Sequence, residues 1–91
     1  MYHLLLNIAP GDTHFQDVEA LEDRALSLLA EYGAERLFCL RHLDGSGETQ
    51  LFAFPSEEEF GRYRQDPRWH SARHRPELAA MRTAVWPVAM I

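Results

Sequence analysis

Hydrophobic residues along this chain alternate between short apolar runs and one long amphipathic stripe. The first run, Tyr2–Ile8, is bounded by a turn cluster at 9–12, which predicts a β-strand. Apolar side chains then recur at spacings of three, four and seven residues, the pattern of an amphipathic helix. This stripe consists of Val18, Leu21, Ala25, Leu28, Leu29 and Tyr32. We expect the helix to begin near Phe15 and to end near Gly33, since glycine is favoured just beyond a helix C-terminus.

The middle of the chain has the pattern of a β-hairpin. Strand-like runs cover Arg36–Leu43 and Glu48–Phe54, and the residues between them, Asp44-Gly45-Ser46-Gly47, form the strongest turn signal in the sequence. Because two strands joined by a short glycine-rich turn pair in antiparallel fashion, we expect these strands to be neighbours in one sheet.

A capped helix follows the hairpin. Pro55 ends the strand, Ser56 stands at an N-cap position, and Glu59 follows three residues later. This is the capping-box pattern, in which the serine oxygen accepts a helix N–H and the glutamate reaches back to another. The pattern predicts a helix over Pro55–Gln65.

Asp66-Pro67 begins a second helical segment, because proline is favoured in the first turn of a helix. This segment extends to about Met81, but Pro76 should kink or break it. The last strand covers Thr83–Ile91. Pro87 cannot donate a ladder hydrogen bond, which places this strand at a sheet edge.

The predicted order is β-α-β-β-α-β, the ferredoxin-like arrangement of α+β proteins, in a single domain over residues 1–91. It implies a four-stranded antiparallel sheet with helices on one face and the last strand beside the first. We expect Leu4, Leu6 and Ile8 to lie under the helices, because a helix-covered face should be continuously apolar. The opposite face carries further apolar residues, and we expect a second copy of the chain to cover it.

Composition supports an oligomer and excludes some partners. Hydrophobic residues make up 46% of the chain, although a domain this small buries only roughly 60–65% of its unfolded surface. A net charge of −5, with nine arginines and no lysine, argues against nucleic acid binding. The only cysteine, Cys39, forms no internal disulfide, which suits a reducing cytoplasm. Neither a signal peptide nor a membrane-spanning run is evident, so we expect a cytoplasmic protein without a membrane partner.

The stretch from Phe54-Pro55-Ser56 through Tyr63, Asp66 and Pro67 to Trp69 resembles the small dimeric α/β-barrel proteins, and among them the DUF1330-like group. Related groups are the antibiotic-biosynthesis monooxygenases (ABM), the EthD-like proteins and the stress-responsive A/B-barrel proteins. The resemblance implies a homodimer whose two sheets close a barrel, with a cleft for a small organic molecule and no cofactor. Members include cofactor-free oxygenases, isomerases and decarboxylases, so the resemblance selects no single activity.

Four polar residues are candidates for catalysis. His3 and Asn7 share a strand face and could supply a general base and an oxyanion donor, or they could be polar groups at a dimer interface. Arg41 could bind a carboxylate or enolate through two hydrogen bonds, but we favour a salt bridge at an interface. The fourth candidate, His70, lies on the helix that follows Pro67.

His70 and His74 have the spacing of a metal-binding pair on one helix face. A metal site would need a third ligand, and the residues between the two histidines do not include the glutamate of the HExxH motif. We therefore predict no metal and interpret the pair as part of a solvated polar face. Cys39 stands in an apolar strand with no activating base evident, which favours a buried structural cysteine.

An aromatic pocket is the remaining candidate site. Its walls would be Phe52, Phe54, Tyr63, Trp69 and Trp86, with Arg41 binding a polar group, whereas plain core packing is the alternative. We therefore expect a small homodimer that binds an aromatic or anionic metabolite. If the protein is an enzyme, the expected class is a cofactor-independent oxygenase or isomerase. The alternative is a non-catalytic accessory or interaction protein, and the sequence does not decide between them.

Overall fold

The computed structural model describes all 91 residues and has the predicted order of elements. The strands form one antiparallel sheet in the order β2-β3-β1-β4, which is the ferredoxin-like α+β fold. None of the helices combines the length and the apolar character needed to cross a membrane. The elements are β1 Tyr2–Ala9, α1 Phe15–Glu31, β2 Glu35–Arg41, β3 Glu48–Phe54, α2 Glu57–Arg64, α3 Pro67–Arg73, a 3₁₀ helix Pro76–Leu78, and β4 Arg82–Val88.

The two short helices begin at the predicted capping residues. The Ser56 hydroxyl accepts a hydrogen bond from the backbone N–H of Glu59 at 3.2 Å, and Asp66 accepts one from the N–H of Arg68 at 2.8 Å. Only the serine half of the capping box forms in α2, because the Glu59 carboxylate accepts a hydrogen bond from Arg62 at 2.9 Å instead. Side-chain caps of this kind satisfy N–H groups that have no partner within the helix.

Two segments near the C-terminus are shorter than predicted. The helix that follows Asp66 ends at Arg73, and Pro76 opens a separate 3₁₀ helix, as its missing N–H indicates. The last strand ends at Val88 and does not reach Ile91. Val88 lies opposite His3, near the start of β1, so the chain beyond it has almost no strand left to pair with. As predicted, β4 is an edge strand beside β1.

Strand β2 contains a β-bulge that the sequence did not predict. The register shifts between Arg36 and Phe38, whose partners on β3 are two adjacent residues. In a regular strand these two side chains would share one face of the sheet, but the extra residue Leu37 places them on opposite faces. The strand also ends at Arg41 and not at the predicted Leu43, because the hairpin loop begins there.

The main core lies between the helices and the sheet. Leu4 and Phe54 of the sheet pack with Leu28 and Leu29 of α1 and with Tyr63 of α2 in one cluster of buried residues. This confirms the expectation that the even-numbered side chains of β1 lie under the helices. The buried cluster closes only part of this layer, and a cavity occupies the rest.

The face of the sheet away from the helices is called the open face here. No segment of the chain covers it, and several large side chains are solvent-exposed: Phe38 by 39%, Leu40 by 57% and Trp86 by 46%. Large apolar side chains exposed together on one face of a sheet mark an interaction surface. The open face comprises His3, Leu5, Asn7, Phe38, Leu40, Thr49, Leu51, Ala53, Ala84, Trp86 and Val88.

Candidate functional site

A cavity of ≈ 500 Å³ lies between the helices and the covered face of the sheet. Its floor is formed by side chains from all four strands, including Leu6 of β1, Phe52 of β3 and Val85 of β4. Most of the lining is hydrophobic, and a few polar groups are placed at defined points. Volume and lining are those of a site for a small organic molecule.

Aromatic rings form one wall of this cavity. Tyr63 stacks on Trp69 with ring centroids 5.3 Å apart and an interplanar angle of 26°, and Phe54 packs against Tyr63 at 5.6 Å and against Phe60 at 5.1 Å. Ring pairs at these distances attract one another and hold each other in place. The wall therefore offers a preformed aromatic surface to a planar ligand.

The hydroxyl of Tyr63 is a polar atom of that wall without a partner in the chain. Tyr63 is only 6% exposed, and its hydroxyl makes no hydrogen bond with another residue, whereas the hydroxyl of the neighbouring Tyr32 donates to Asp66 at 2.6 Å. Burial raises the pKa of Tyr63 far above its usual value, so the hydroxyl stays protonated. It is available as a donor to a bound molecule.

Polar side chains from α1, β2 and β3 meet at one end of the cavity. The Gln50 amide donates to Oε2 of Glu22 at 2.8 Å, and the Arg36 guanidinium lies 3.4 Å from both Oε2 of Glu22 and the amide oxygen of Gln50. All three residues line the cavity. The same Gln50 nitrogen also lies 3.3 Å from Oε1 of Glu48, so one amide bridges two carboxylates.

The two carboxylates differ in their affinity for a proton. Burial, together with the charge and hydrogen bonding of Glu48, raises the pKa of Glu22 to about 7. Burial alone would also raise the pKa of Glu48, but hydrogen bonds from Arg41 and Glu22 outweigh it and lower that pKa below its usual value. Close carboxylates cannot both ionise freely, so one takes the proton for the pair.

A second set of polar residues lies at the exposed rim of the cavity. Arg64, Arg73 and His74 all line it and are all exposed. Neither arginine forms an ion pair with a carboxylate of the chain, and Arg64 lies over the ring of Phe60 at 5.5 Å. The Nδ1 of His74 donates to the carbonyl oxygen of His70 at 2.8 Å, which leaves its Nε2 free. The rim therefore presents positive charge to a ligand.

The structure separates the residues that the sequence predicted for the aromatic pocket. Phe52, Tyr63 and Trp69 line the cavity together, as does Phe54. Trp86 lies on the open face instead, because successive side chains of β4 alternate between the two faces and Val85 lines the cavity. The prediction that Trp86 forms a wall of this cavity is therefore wrong, because Trp86 lies on the open face of the sheet.

Arg41 does not line the cavity. Its Nε and NH2 donate to Oε2 of Glu48 at 3.3 and 3.0 Å, and its guanidinium lies 4.1 Å from the ring centroid of Phe15. The Arg41 guanidinium is thus engaged within the chain, in a salt bridge with Glu48. That bridge is intramolecular, whereas the sequence favoured one between subunits.

His3 and Asn7 lie on the open face, on the side of the sheet away from the cavity. Asn7 accepts a hydrogen bond from the Thr49 hydroxyl at 2.7 Å, and that hydroxyl lies 2.7 Å from Nε2 of His42, whose Nδ1 is 3.0 Å from the Ser46 hydroxyl. This network of side-chain hydrogen bonds was not predicted from the sequence, because it depends on the register of the strands. It makes Asn7 part of a surface network.

His70 is exposed on α3 and does not line the cavity. Its ring lies 4.2 Å from that of His74, and its carbonyl accepts the bond from His74, so the neighbour rather than His70 reaches the rim. Glu22, Cys39 and Glu48 form the only group of potential metal-ligand atoms within 4.8 Å of one another. Arg36 and Arg41 already pair with these carboxylates, which disfavours a further cation there.

Cys39 is exposed on the edge strand β2, which corrects the expected burial. Partial desolvation and the charge of Glu48 raise the pKa of the Cys39 thiol, so it is not an activated nucleophile.

Two residues at the polar end of the cavity stand at positions that the sequence pattern already indicated to be close to the core. Glu22 directly follows a residue of the apolar stripe, and Gln50 shares its strand face with Phe52.

No model of a known protein family matches this sequence, and no curated protein matches it. Solved structures match the fold over nearly the whole chain. Rv0793 from Mycobacterium tuberculosis superimposes with a TM-score of 0.78 at 16% identity, covering 99% of this chain and 94% of that one. SnoaB, a cofactor-independent oxygenase from Streptomyces nogalater, gives a TM-score of 0.67 at 14% identity, covering 99% and 95%.

An uncharacterized NIPSNAP domain protein from Burkholderia xenovorans gives a TM-score of 0.61 at 15% identity, covering 96% of this chain and 94% of that one. Identities this low establish the fold and not the activity. The chain therefore has the same ferredoxin-like α+β fold as these solved structures. Proteins of this fold include cofactor-independent oxygenases.

Proposed function

We propose that this protein binds a small planar anion in the cavity between its helices and its sheet. The cavity itself carries the proposal, because its ≈ 500 Å³ volume and largely hydrophobic lining suit a molecule of one to three rings. The stacked Tyr63 and Trp69 provide a surface for an aromatic ring. Arg64 and Arg73, which have no carboxylate partner in the chain, provide charge for an anionic group.

An open cavity with arginine and histidine at its rim favours a ligand-binding protein over an accessory subunit whose cleft is filled by its own side chains. For catalysis, we propose a reaction that needs no cofactor, either oxygenation or isomerisation. The similarity to SnoaB supports oxygenation as a class, and the polar end of the cavity provides groups that can exchange protons with a ligand.

We also propose that two copies of the chain pair through their open faces. The support is the exposed apolar surface around Phe38, Leu40 and Trp86, which no segment of the chain covers. The motif from Phe54 to Trp69 agrees with this assembly, and it is the sole support for placing the chain near the DUF1330-like group. Light scattering at micromolar concentration tests the dimer, since particles of only 10.5 kDa would contradict it.

Titration calorimetry with 2-naphthoate tests the binding proposal, with the neutral analogue 2-naphthalenemethanol as a matched probe. We expect the anion to bind more tightly than the alcohol. Arg73→Gln should weaken the binding of the anion by about tenfold and leave that of the alcohol almost unchanged. Arg24→Gln, an exposed arginine that does not line the cavity, is the control variant and should change neither.

A second variant tests the location of the site. Leu6→Trp places a large side chain in the cavity floor and should abolish the binding of both probes while the folded circular dichroism spectrum is retained. If 2-naphthoate does not bind to the wild-type protein, or if Leu6→Trp binds it normally, the cavity is not the ligand site.

A further inference from the structure

The cavity is lined by two chemically different sets of polar residues, the polar end formed by Glu22, Arg36 and Gln50 and the rim formed by Arg64, Arg73 and His74. Arg36 lies on the edge strand β2, and Val85 and Pro87 lie on the other edge strand β4, yet all three line the same cavity. Four strands at the usual spacing put these edges about 14 Å apart. Because both sets line this one cavity, a ligand bound in it can contact the Glu22 carboxylate as well as the cationic rim.

Glu22 is the cavity-lining carboxylate with unused capacity to accept a hydrogen bond. Gln50 and Arg36 both donate to its Oε2, and no donor of the chain reaches its Oε1. The side chain is 15% exposed, so it is neither sealed in the core nor fully solvated. A carboxylate can accept about four hydrogen bonds, so the two from Gln50 and Arg36 leave capacity for a ligand, although Glu22 also faces Glu48.

Glu48 cannot take this role. Arg41 donates two hydrogen bonds to its Oε2, its side chain is 9% exposed, and it does not line the cavity. Its negative charge instead favours the protonated form of Glu22, because the two carboxylates lie close together. The buried amide of Gln50 holds them there by donating a hydrogen bond to each. The structure thus holds one carboxylate ionised and leaves its neighbour to exchange a proton.

We propose that Glu22 accepts the hydroxyl proton of a bound phenol or enol whose opposite end carries a carboxylate or sulfonate. The O–H bond of the ligand breaks and its electron pair stays on the ligand oxygen, while a new O–H bond forms on Glu22. Arg36 stabilises the resulting phenolate or enolate. This inference rests on the proposed function, and it assigns hydroxylated aromatic or enolic anions as the ligand class.

The groups that face Glu22 agree with this direction of proton transfer. They are Arg36 and Cys39 of β2 and Glu48 and Gln50 of β3. Burial and Glu48 favour the protonated form, whereas Gln50 and Arg36 favour the ionised form, and the balance places the pKa of Glu22 at about 7. A general base works best when its pKa lies close to the operating pH.

The test compares 6-hydroxy-2-naphthoate with 2-naphthoate, which lacks the hydroxyl, at about pH 8, where free Glu22 is ionised. Absorption spectra report whether the bound hydroxyl is ionised. Calorimetry in two buffers of different ionisation enthalpy reports whether a proton leaves the complex. We expect the naphtholate spectrum in the wild-type complex with no net release of a proton to the buffer, because Glu22 retains it.

Glu22→Gln should lose this behaviour. The naphtholate spectrum should disappear, or appear only with release of a proton to the buffer, and the affinity for 6-hydroxy-2-naphthoate should fall about tenfold. The affinity for 2-naphthoate should stay within about twofold, which excludes a general loss of structure. Glu19→Gln, an exposed residue of the same helix that does not line the cavity, is the control.

The possible failures are distinguishable. If both probes bind to the wild-type protein but the hydroxyl stays protonated, or if its proton goes to the buffer, the role of Glu22 is refuted and the binding site stands. If Glu22→Gln behaves like the wild-type protein, the role is likewise refuted. If neither probe binds, the proposed function fails and the role of Glu22 falls with it.

Discussion

The side-chain amide of Gln50 donates a hydrogen bond to Oε2 of Glu22 at 2.8 Å, which joins the middle of β3 to the middle of α1. Gln50 is only 2% exposed, so this contact lies deep in the layer between helix and sheet. The bond places a carboxyl group of raised proton affinity at the end of the cavity. It therefore links the stability of the fold to the protonation of the candidate site.

The raised pKa of Glu22 predicts a pH-dependent stability. The folded chain holds the proton up to about pH 7, whereas the unfolded chain releases it near 4.5. The resulting stabilisation is fully present below pH 4.5 and is lost as the pH rises through 7. Because the side chain is partly solvated, we expect a loss of only about 1–2 kcal/mol from this group.

Urea unfolding of the wild-type protein and Glu22→Gln at several pH values between about 4.5 and 8 measures this effect. As the pH rises, the free energy of unfolding of the wild-type protein should fall relative to that of Glu22→Gln. The lowered pKa of Glu48 acts only below about 4.5 and does not interfere in this range. Parallel stability curves for the two proteins would contradict the raised pKa of Glu22.

Two glycines of the hairpin loop should respond differently to alanine. Gly47 has φ 151°, and a Cβ there would collide with the backbone carbonyl of Ile8, whereas Gly45 has φ 77° and open space around it. Gly45→Ala should therefore cost about 1 kcal/mol from backbone strain alone. Gly47→Ala should cost roughly 3 kcal/mol or more, because the backbone of β1 must also move.

Chemical denaturation of both variants measures these costs in the free energy of unfolding. Gly45→Ala is the matched control, since it introduces the same methyl group in the same loop. Equal destabilisation by the two substitutions would mean that the close approach to Ile8 does not constrain the loop.

The open face should lose its self-association when a charge is placed on it. Leu40 is 57% exposed there, opposite Thr49 in the register, and burying a glutamate at that position in a dimer would leave its charge without a partner. We expect Leu40→Glu to sediment as a monomer at a concentration at which the wild-type protein is a dimer.

Leu43→Glu is the control for that experiment. Leu43 is fully exposed but lies in the hairpin loop beyond the end of β2, away from the open face. It should leave the assembly unchanged. A dimer that survives Leu40→Glu and dissociates in Leu43→Glu would move the interface from the sheet to the loop.

Local signals in the sequence predicted most of the fold. Ser56 and Asp66 cap helices because their side chains bind N–H groups two or three residues away, and Gly33 adopts φ 69° beyond α1, a conformation that glycine adopts without strain. Pro87 correctly placed β4 at an edge. Each signal acts over a few residues, so it can be recognised without knowledge of the tertiary structure.

The site could not be predicted in the same way. Glu22 and Gln50 meet across 28 residues of sequence, which requires the position of α1 over the sheet. The bulge at Leu37 reverses the phase of β2 and brings Arg36 to the cavity. Trp86 was misplaced because both faces of β4 carry apolar residues, so alternation alone did not reveal which face the helices cover.

Asp66 should hold the end of α1 to the start of α3 through its ionised carboxylate. Its Oδ2 accepts from the Tyr32 hydroxyl at 2.6 Å and from Arg68 at 2.8 Å, and these bonds hold the pKa of Asp66 well below its usual 3.8. The stabilisation is present above that value and is lost as the pH falls below it.

Asp66→Ala, which also removes the helix cap, should lower the melting temperature by roughly 4–8 °C at neutral pH, with a smaller effect at about pH 3. Tyr32→Phe removes a single bond and should have the smaller effect at neutral pH, so a larger loss there would assign the stability to the tyrosine instead.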